Sequence, residues 1–184
     1  MDRELVERAQ RGDREAYETL ARDSARRLFL VCHRVLRDGD LAEDAVQRTL
    51  VAIWRELPGL RDPDRFEAWT YRMAMRFSLA EARHDRRMQG SVHLLPNDES
   101  QAPDELSALF DRDALERGFR RLSPDHRAVV VLRYFVGLSL EEIGGVVGAP
   151  TGTVASRLHY ALHELRAVLE SDDSLASIRK GVPA

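Results

Sequence analysis

Residues 139–166 read SLEEIGGVVGAPTGTVASRLHYALHELR. The stretch opens with Ser139 three residues before Glu142, the spacing of a capping box. Ile143, Val146 and Val147 give a short helix with one apolar face, and Gly148 stops it. Ala149-Pro150 forms a brief turn. A longer helix follows from about Thr151 to Leu169, with Val154, Leu158, Ala161 and Leu165 at core spacing. A short helix, a glycine-containing turn and a second helix are the sequence signature of a helix-turn-helix. The second helix of such a pair enters a major groove with its N-terminal residues at the base edges. Once the apolar stripe is assigned, Thr151, Thr153, Ala155, Ser156, Arg157, His159 and Tyr160 are left facing outward. Hydroxyls reach bases or phosphates, and an arginine forks onto guanine or clamps a phosphate. A plain helical hairpin satisfies the same pattern.

Upstream, Ser123-Pro124 places an N-cap before a proline at the first helical position. Ala128, Val129, Leu132 and Phe135 form the next stripe, and Gly137 ends it. Leu109, Phe110, Leu115, Phe119 and Leu122 mark a helix before that. From Met88 to Asp104 the periodicity fails; the run is polar and carries two prolines and a glycine. Residues 91–116 hold seven acidic side chains against one basic, while the flanking stretches are close to neutral. A structureless stretch of this length is unusual within one compact domain and natural between two.

The N-terminal half is also helical in period. Leu5, Val6 and Ala9 give a first short helix, broken near Gly12. Ala16, Tyr17, Leu20, Leu28, Val31, Cys32 and Val35 give a long one, ending near Gly39. Asp40 and Glu43 stand at capping-box spacing ahead of a third stripe: Leu41, Ala45, Val46, Thr49, Leu50, Ile53, Trp54 and Leu57. Pro58-Gly59 closes it. Leu60 to Pro63 reads as a loop. Asp64 and Glu67 repeat the capping-box spacing before a fourth helix with Phe66, Trp69, Met73, Phe77 and Ala80 on one side. No alternating strand pattern occurs anywhere. The reading is all-α: two small helical domains, 1–90 and 108–170, joined by an acidic linker over 91–107, with a polar tail at 171–184.

Composition narrows the class. The chain has 184 residues and a formal net charge of −3. No apolar run is long enough to cross a bilayer, so no membrane insertion is expected. The charged N-terminus lacks a signal-peptide core. A single cysteine, Cys32, forms neither an internal disulfide nor a cysteine-based zinc site, which fits a reducing cytoplasm. Of the 28 basic residues only Lys180 is a lysine; arginine favours bidentate phosphate and carboxylate contacts, and a GC-rich genome gives the same bias. His159 and His163 have the spacing of a metal pair, yet neither a motif glutamate nor a third ligand accompanies them. No phosphate-binding glycine loop or nucleophile elbow is present. No enzyme activity, cofactor, metal or small-molecule substrate is expected.

The stretch from Arg121 to Leu169 resembles region 4 of the extracytoplasmic-function group of bacterial sigma factors, in the sigma-70 family. The match runs through Leu122, Arg127, Val129, Leu132, Arg133, Tyr134, Gly137, Ser139, Glu142, Ile143, Gly148, Pro150, Gly152, Thr153, Val154, Ser156, Arg157 and Leu158. GDREAYETL, LAEDAVQRTLVAIWREL and FEAWTYRMAMRFSLAEARHDRR are similar to region 2 of the same family. The resemblance implies a transcription initiation factor that binds core RNA polymerase and promoter DNA and is held by an anti-sigma protein. It implies −35 contacts from Arg133, Thr151, Gly152, Thr153, Ala155, Ser156, Arg157, His159 and Tyr160. For the −10 element it implies the loop residues Arg61, Asp62 and Arg65 and the helix stripe Arg72, Arg76, Arg83 and Arg87. For polymerase docking it implies Asp44, Gln47, Arg48, Leu50, Val51 and Arg55.

Four residues depart from the pattern. Arg48 stands where the family carries glutamate. Arg76 and Ala80 replace its asparagine and aspartate, with Glu81 one position late. Ala155 replaces a common basic residue. On the residues alone, a DNA-binding regulator that ignores polymerase and a non-DNA adaptor built on the same fold stay open. An acidic linker suits both a solubilising spacer and a mimic of phosphate charge in a basic channel.

Overall fold

The computed structural model describes residues 2–89 and 115–180. The stretch read as the acidic linker lies outside the described residues. Every described element is helical: α1 (Arg3–Gln10), α2 (Arg14–Leu36), α3 (Gly39–Glu56), α4 (Phe66–Gln89), α5 (115–121), α6 (Pro124–Val130), α7 (Leu140–Val147) and α8 (Thr151–Lys180). Short 3-10 turns precede α4, and a π turn spans Val131–Phe135 after α6. Among the described residues there is no strand, as the periodicity predicts.

Helices α1 to α4 form an N-terminal bundle. Its core gathers Leu20, Leu28, Cys32, Ala42, Ala45, Ile53, Leu57, Phe66 and Met73. Trp69 and Phe77 pack at its edge. Caps set the helix limits. Asp2 and Asp13 each accept a backbone N–H at the starts of α1 and α2. Two of the expected boundaries move. Helix α2 ends on Arg37, which adopts the left-handed conformation (φ 61°) without being glycine, and Asp38 rather than Asp40 caps α3. Asp38 accepts from Leu41 N at 2.9 Å, so the start comes two residues earlier than the Asp40–Glu43 spacing suggests. Likewise Asp62, not Asp64, caps the turn that leads into α4.

Helices α5 to α8 form the C-terminal unit. Here the local signals hold. Ser123 caps α6 ahead of Pro124. Ser139 and Glu142 make both bonds of the capping box, with Ser139 N donating to Glu142 Oε2 at 2.8 Å. Gly148 closes α7 in the left-handed conformation at φ 68°. The last helix runs to Lys180, past residue 169 and into the stretch read as a polar tail.

The two units touch. Val31 and Val35 of α2 and Met75 and Leu79 of α4 group with Leu122, Val129, Leu132, Ile143, Val146, Val154 and Leu158 rather than with the bundle core. The Arg34 guanidinium lies 3.9 Å from the centre of the Phe135 ring, and Arg37 pairs with Glu116 at 2.5 Å. Neither contact is readable from local pattern, because the partners lie about 80 to 100 residues apart.

Candidate nucleic-acid interface

The helix-turn-helix is built by close approach. A Cβ at Gly144 would meet the Ala149 carbonyl oxygen at 2.8 Å, so only glycine lets the turn fold back on α7. The Ala149 N–H donates to the Gly144 carbonyl at 3.1 Å and seals that turn. Val154, Leu158, Ala161 and Leu165 are buried and fix α8 against α6 and α7. The rest of the helix start is open. Thr151, Gly152, Thr153, Ala155, Ser156, His159 and Tyr160 are all exposed, as the sequence predicts. The first turn of any helix leaves backbone N–H groups without intrahelical partners, and such an end attracts phosphate.

Arg157 is placed differently from its neighbours. It is half-buried and pairs with Asp125 of α6 at 3.4 Å, so its guanidinium is held rather than free. Ser156 Oγ donates back toward the Gly152 and Thr153 carbonyls at 3.1 Å each, leaving its lone pairs outward. Arg133 is not on α8 at all. It lies on the π turn, exposed, and donates to the Leu138 carbonyl at 2.9 Å, closing the loop that leads into α7.

On the bundle, Arg72, Arg76, Arg83 and Arg87 of α4 are exposed. At 100° per residue they fall within an arc of about 60°. Arg76 reaches Glu56 at 3.9 Å and lies over the Phe77 ring. In the loop before α4, Arg61 and Arg65 are exposed. Asp62 accepts from Asp64 N and pairs with Arg65 at 3.4 Å, so it shapes the turn.

Of the six α3 residues that the resemblance assigns to polymerase docking, five are exposed. Asp44, Gln47, Val51 and Arg55 are exposed. Leu50 is half-buried against the bundle core, and its carbonyl accepts from the Tyr17 hydroxyl at 2.8 Å. One residue of helix rotates a side chain by about 100°, which separates it from Val51. Arg48 is exposed but bonded to Glu81 of α4. Arg48, one of the departures from the family pattern, is therefore answered across α3 and α4 by Glu81, the acid that stands one position late.

Trp54, which stands on the apolar stripe of α3, is half exposed (49%), as is Val51 (51%). It meets Tyr17 edge-on at 4.5 Å between ring centres, and the two rings with Arg14 and Glu18 line a shallow notch. The signal was available, because Trp54 stands seven residues after Gln47 on the same stripe. Buried Cys32 is a free thiol whose pKa is pushed up to about 11 by burial. Among the described residues no cluster of histidine, cysteine and acid side chains can hold a metal ion. None of the described helices is long and apolar enough to cross a membrane.

Comparison with known proteins agrees with this geometry. The family "Sigma-70 region 2" matches residues 20–88, and "Sigma-70, region 4" matches residues 118–167. The chain is 36% identical over 140 residues to the ECF RNA polymerase sigma factor SigL of Mycobacterium tuberculosis, covering 74% of this chain and 79% of SigL. It is 32% identical over 166 residues to the RNA polymerase sigma factor CarQ of Myxococcus xanthus, covering 89% and 95%. Among solved structures it resembles CnrH in complex with the cytosolic domain of CnrY, with a TM-score of 0.65 and 26% identity over 93% of this chain and 98% of that one. The sigma factor RpoE of Bartonella quintana, solved with the anti-sigma factor NepR, shares the fold at a TM-score of 0.66 and 23% identity, covering 84% and 96%. The chain belongs to the extracytoplasmic-function group of the sigma-70 family, factors that bind core RNA polymerase and direct promoter-specific transcription initiation.

Proposed function

We propose how this sigma factor divides its work among its helices. The exposed start of α8 reads the −35 element, with Thr151, Thr153, Ser156, His159 and Tyr160 at the groove. Arg157 is set by Asp125, and Arg133 stands at the backbone. The arginine stripe of α4 and the loop from Arg61 to Arg65 take the −10 element, where phosphates meet charge. The α3 face of Asp44, Gln47, Val51 and Arg55, extended by Trp54, docks on polymerase. Residues 1–90 and 108–170 act as the two functional domains. The observation that carries this division is the exposure of the α8 start above a fully packed helix-turn-helix.

Control by an anti-sigma protein is part of the same proposal. It is supported by the neighbour RpoE, which is solved with one. No catalytic role is assigned to any residue, and the cytoplasm, where polymerase works, is the expected compartment.

The test is co-elution of the purified chain with bacterial core RNA polymerase. Stoichiometric co-elution, lost when Gln47 and Val51 are both replaced by aspartate, supports the α3 assignment. Retention by that double variant, with its fold intact, overturns it. Footprinting of the resulting holoenzyme then tests α8, because Thr153→Ala and Tyr160→Ala are expected to weaken protection upstream and leave the downstream boundary unchanged.

A further inference from the structure

Arg127 of α6 is a buried cation without a carboxylate of its own. It is 9% exposed, and its Nε has no hydrogen-bond partner among the described residues. Its Nη1 donates to the Phe119 carbonyl of α5 at a long 3.4 Å. One turn earlier on α5, Glu116 pairs with Arg37 at the end of α2. Residues three apart share a helix face, so α5 brings these two guanidinium groups together. Arg86 of α4 is the third charge beside them. It is exposed, and its Nε donates to the Ala82 carbonyl within its own helix at 3.2 Å. Asp125, the acid nearest to Arg127 along α6, is committed to Arg157.

Such a cluster is costly as it stands. Burial, with the like charges of Arg37 and Arg86, draws Arg127 down to about 10. At neutral pH it still keeps its proton, so the charge is not relieved by deprotonation. A buried charge is tolerated when it is paired and hydrogen-bonded. Three guanidinium groups against the one carboxylate of Glu116 leave two positive charges. A carboxylate would cancel half of that excess. A phosphate group carries about −1.5 to −2 at pH 7, and its oxygens match the guanidinium fork.

We propose that Arg37, Arg86 and Arg127 form a binding site for a small phosphate dianion, either inorganic phosphate or the terminal group of a phosphomonoester. Arg127 supplies the buried donor, Arg86 the arm reached from solvent, and Arg37 a share limited by its bond to Glu116. The site is distinct from the arginine stripe of α4. At 100° per residue Arg86 falls about 40° outside the arc of Arg72, Arg76, Arg83 and Arg87. A nucleic-acid strand is the poorer fit, because its phosphates carry one charge each and the central arginine is 9% exposed.

The experiment titrates the full chain with potassium phosphate against potassium chloride at matched ionic strength. Phosphorus NMR line broadening reads binding, and the melting midpoint reads its linkage to the fold. The expected result is saturable binding of phosphate with a rise in midpoint that chloride does not give. Arg86→Gln removes an exposed arm without disturbing the core and is expected to weaken phosphate roughly tenfold, the loss of one charge-assisted hydrogen bond. Glu116→Gln frees Arg37 and is expected to act in the opposite direction, tightening phosphate several-fold. Arg14→Gln takes the same charge from the other end of α2, roughly 34 Å away, and is expected to change nothing. A response to phosphate no larger than to chloride overturns the site. So does an Arg14→Gln variant that loses as much affinity as Arg86→Gln, or affinity unmoved by both Arg86→Gln and Glu116→Gln. Oligothymidine that binds in an Arg86-dependent way where inorganic phosphate does not overturns the small-ion reading and gives the cluster to the nucleic-acid backbone.

Discussion

Replacing Arg48 with alanine isolates the most unusual contact in the bundle. Glu81 keeps only 9% of its side chain in contact with solvent, while Arg48 keeps 56%. Stripping one partner from a fully buried pair costs about 3–5 kcal/mol, and an exposed pair is worth about 0.2–1 kcal/mol. This pair is buried at one end only. Water screens the guanidinium and not the carboxylate, which places the cost of R48A at about 1–2 kcal/mol. For a chain of this length that is a fall in melting midpoint of about 2–8 °C. Thermal unfolding followed by circular dichroism measures it. The decisive comparison is the double variant R48A with Glu81→Met, which removes the stranded carboxylate along with its partner. It is expected to melt above R48A alone. If R48A melts with the parent, or if the second substitution adds its own loss to the first, Arg48 is not the counter-ion of Glu81. The charge reversal at this position would then belong to the polymerase face after all.

Three further outcomes follow from the geometry. Ser139→Ala removes the capping box of α7 and is expected to cost about 1 kcal/mol, read as a shift in the urea midpoint, with Ser139→Asp retaining most of it. Gly144→Ala drives a methyl into the Ala149 carbonyl and is expected to abolish binding of duplex promoter DNA while the bundle helices persist; full duplex affinity would refute the close-approach reading. Cys32 is neutral in the fold well beyond the pH at which it ionises in the unfolded chain. Its contribution is therefore complete below about pH 8.5 and is lost as pH rises toward 11. Unfolding free energies measured on Cys32→Ala and the parent should converge over that window, and thiol reagents should label Cys32 only on unfolding.

What could be read from sequence was whatever the chain decides within one helical turn. Ser123-Pro124, Ser139 with Glu142, and Gly148 each set a boundary through bonds to the next three or four residues, and each landed where expected. Asp38 and Arg37 did not, because several carboxylates compete for the start of α3 and an arginine rarely takes a left-handed cap. The exposed face at the start of α8 was legible by subtraction, since Val154, Leu158, Ala161 and Leu165 claim the core. Leu50 and Trp54 exchanged places for a subtler reason. Both lie on the margin of an apolar stripe, and only the position of Tyr17 on α2 decides which one turns inward. The Arg48–Glu81 pair was visible as a departure from a family pattern and an acid one position late, but their proximity depends on how α3 crosses α4. The seam between the two units was out of reach altogether. Its stripes on α2 and α4 look like ordinary bundle core until a second body is placed against them.

The separation of duties within α8 has an evolutionary reach. Its packing residues are Val154, Leu158, Ala161 and Leu165, and its outward residues contribute almost nothing to the core. Substitutions at exposed helical sites change stability by only a few tenths of a kcal/mol. On the −35 role proposed for this face, a new promoter preference is accessible by drift through Thr151, Thr153, Ala155, Ser156, His159 and Tyr160, without an unstable intermediate on the way. A genome that duplicates this chain acquires a second regulatory channel by altering a handful of surface codons while the scaffold beneath them stays the same.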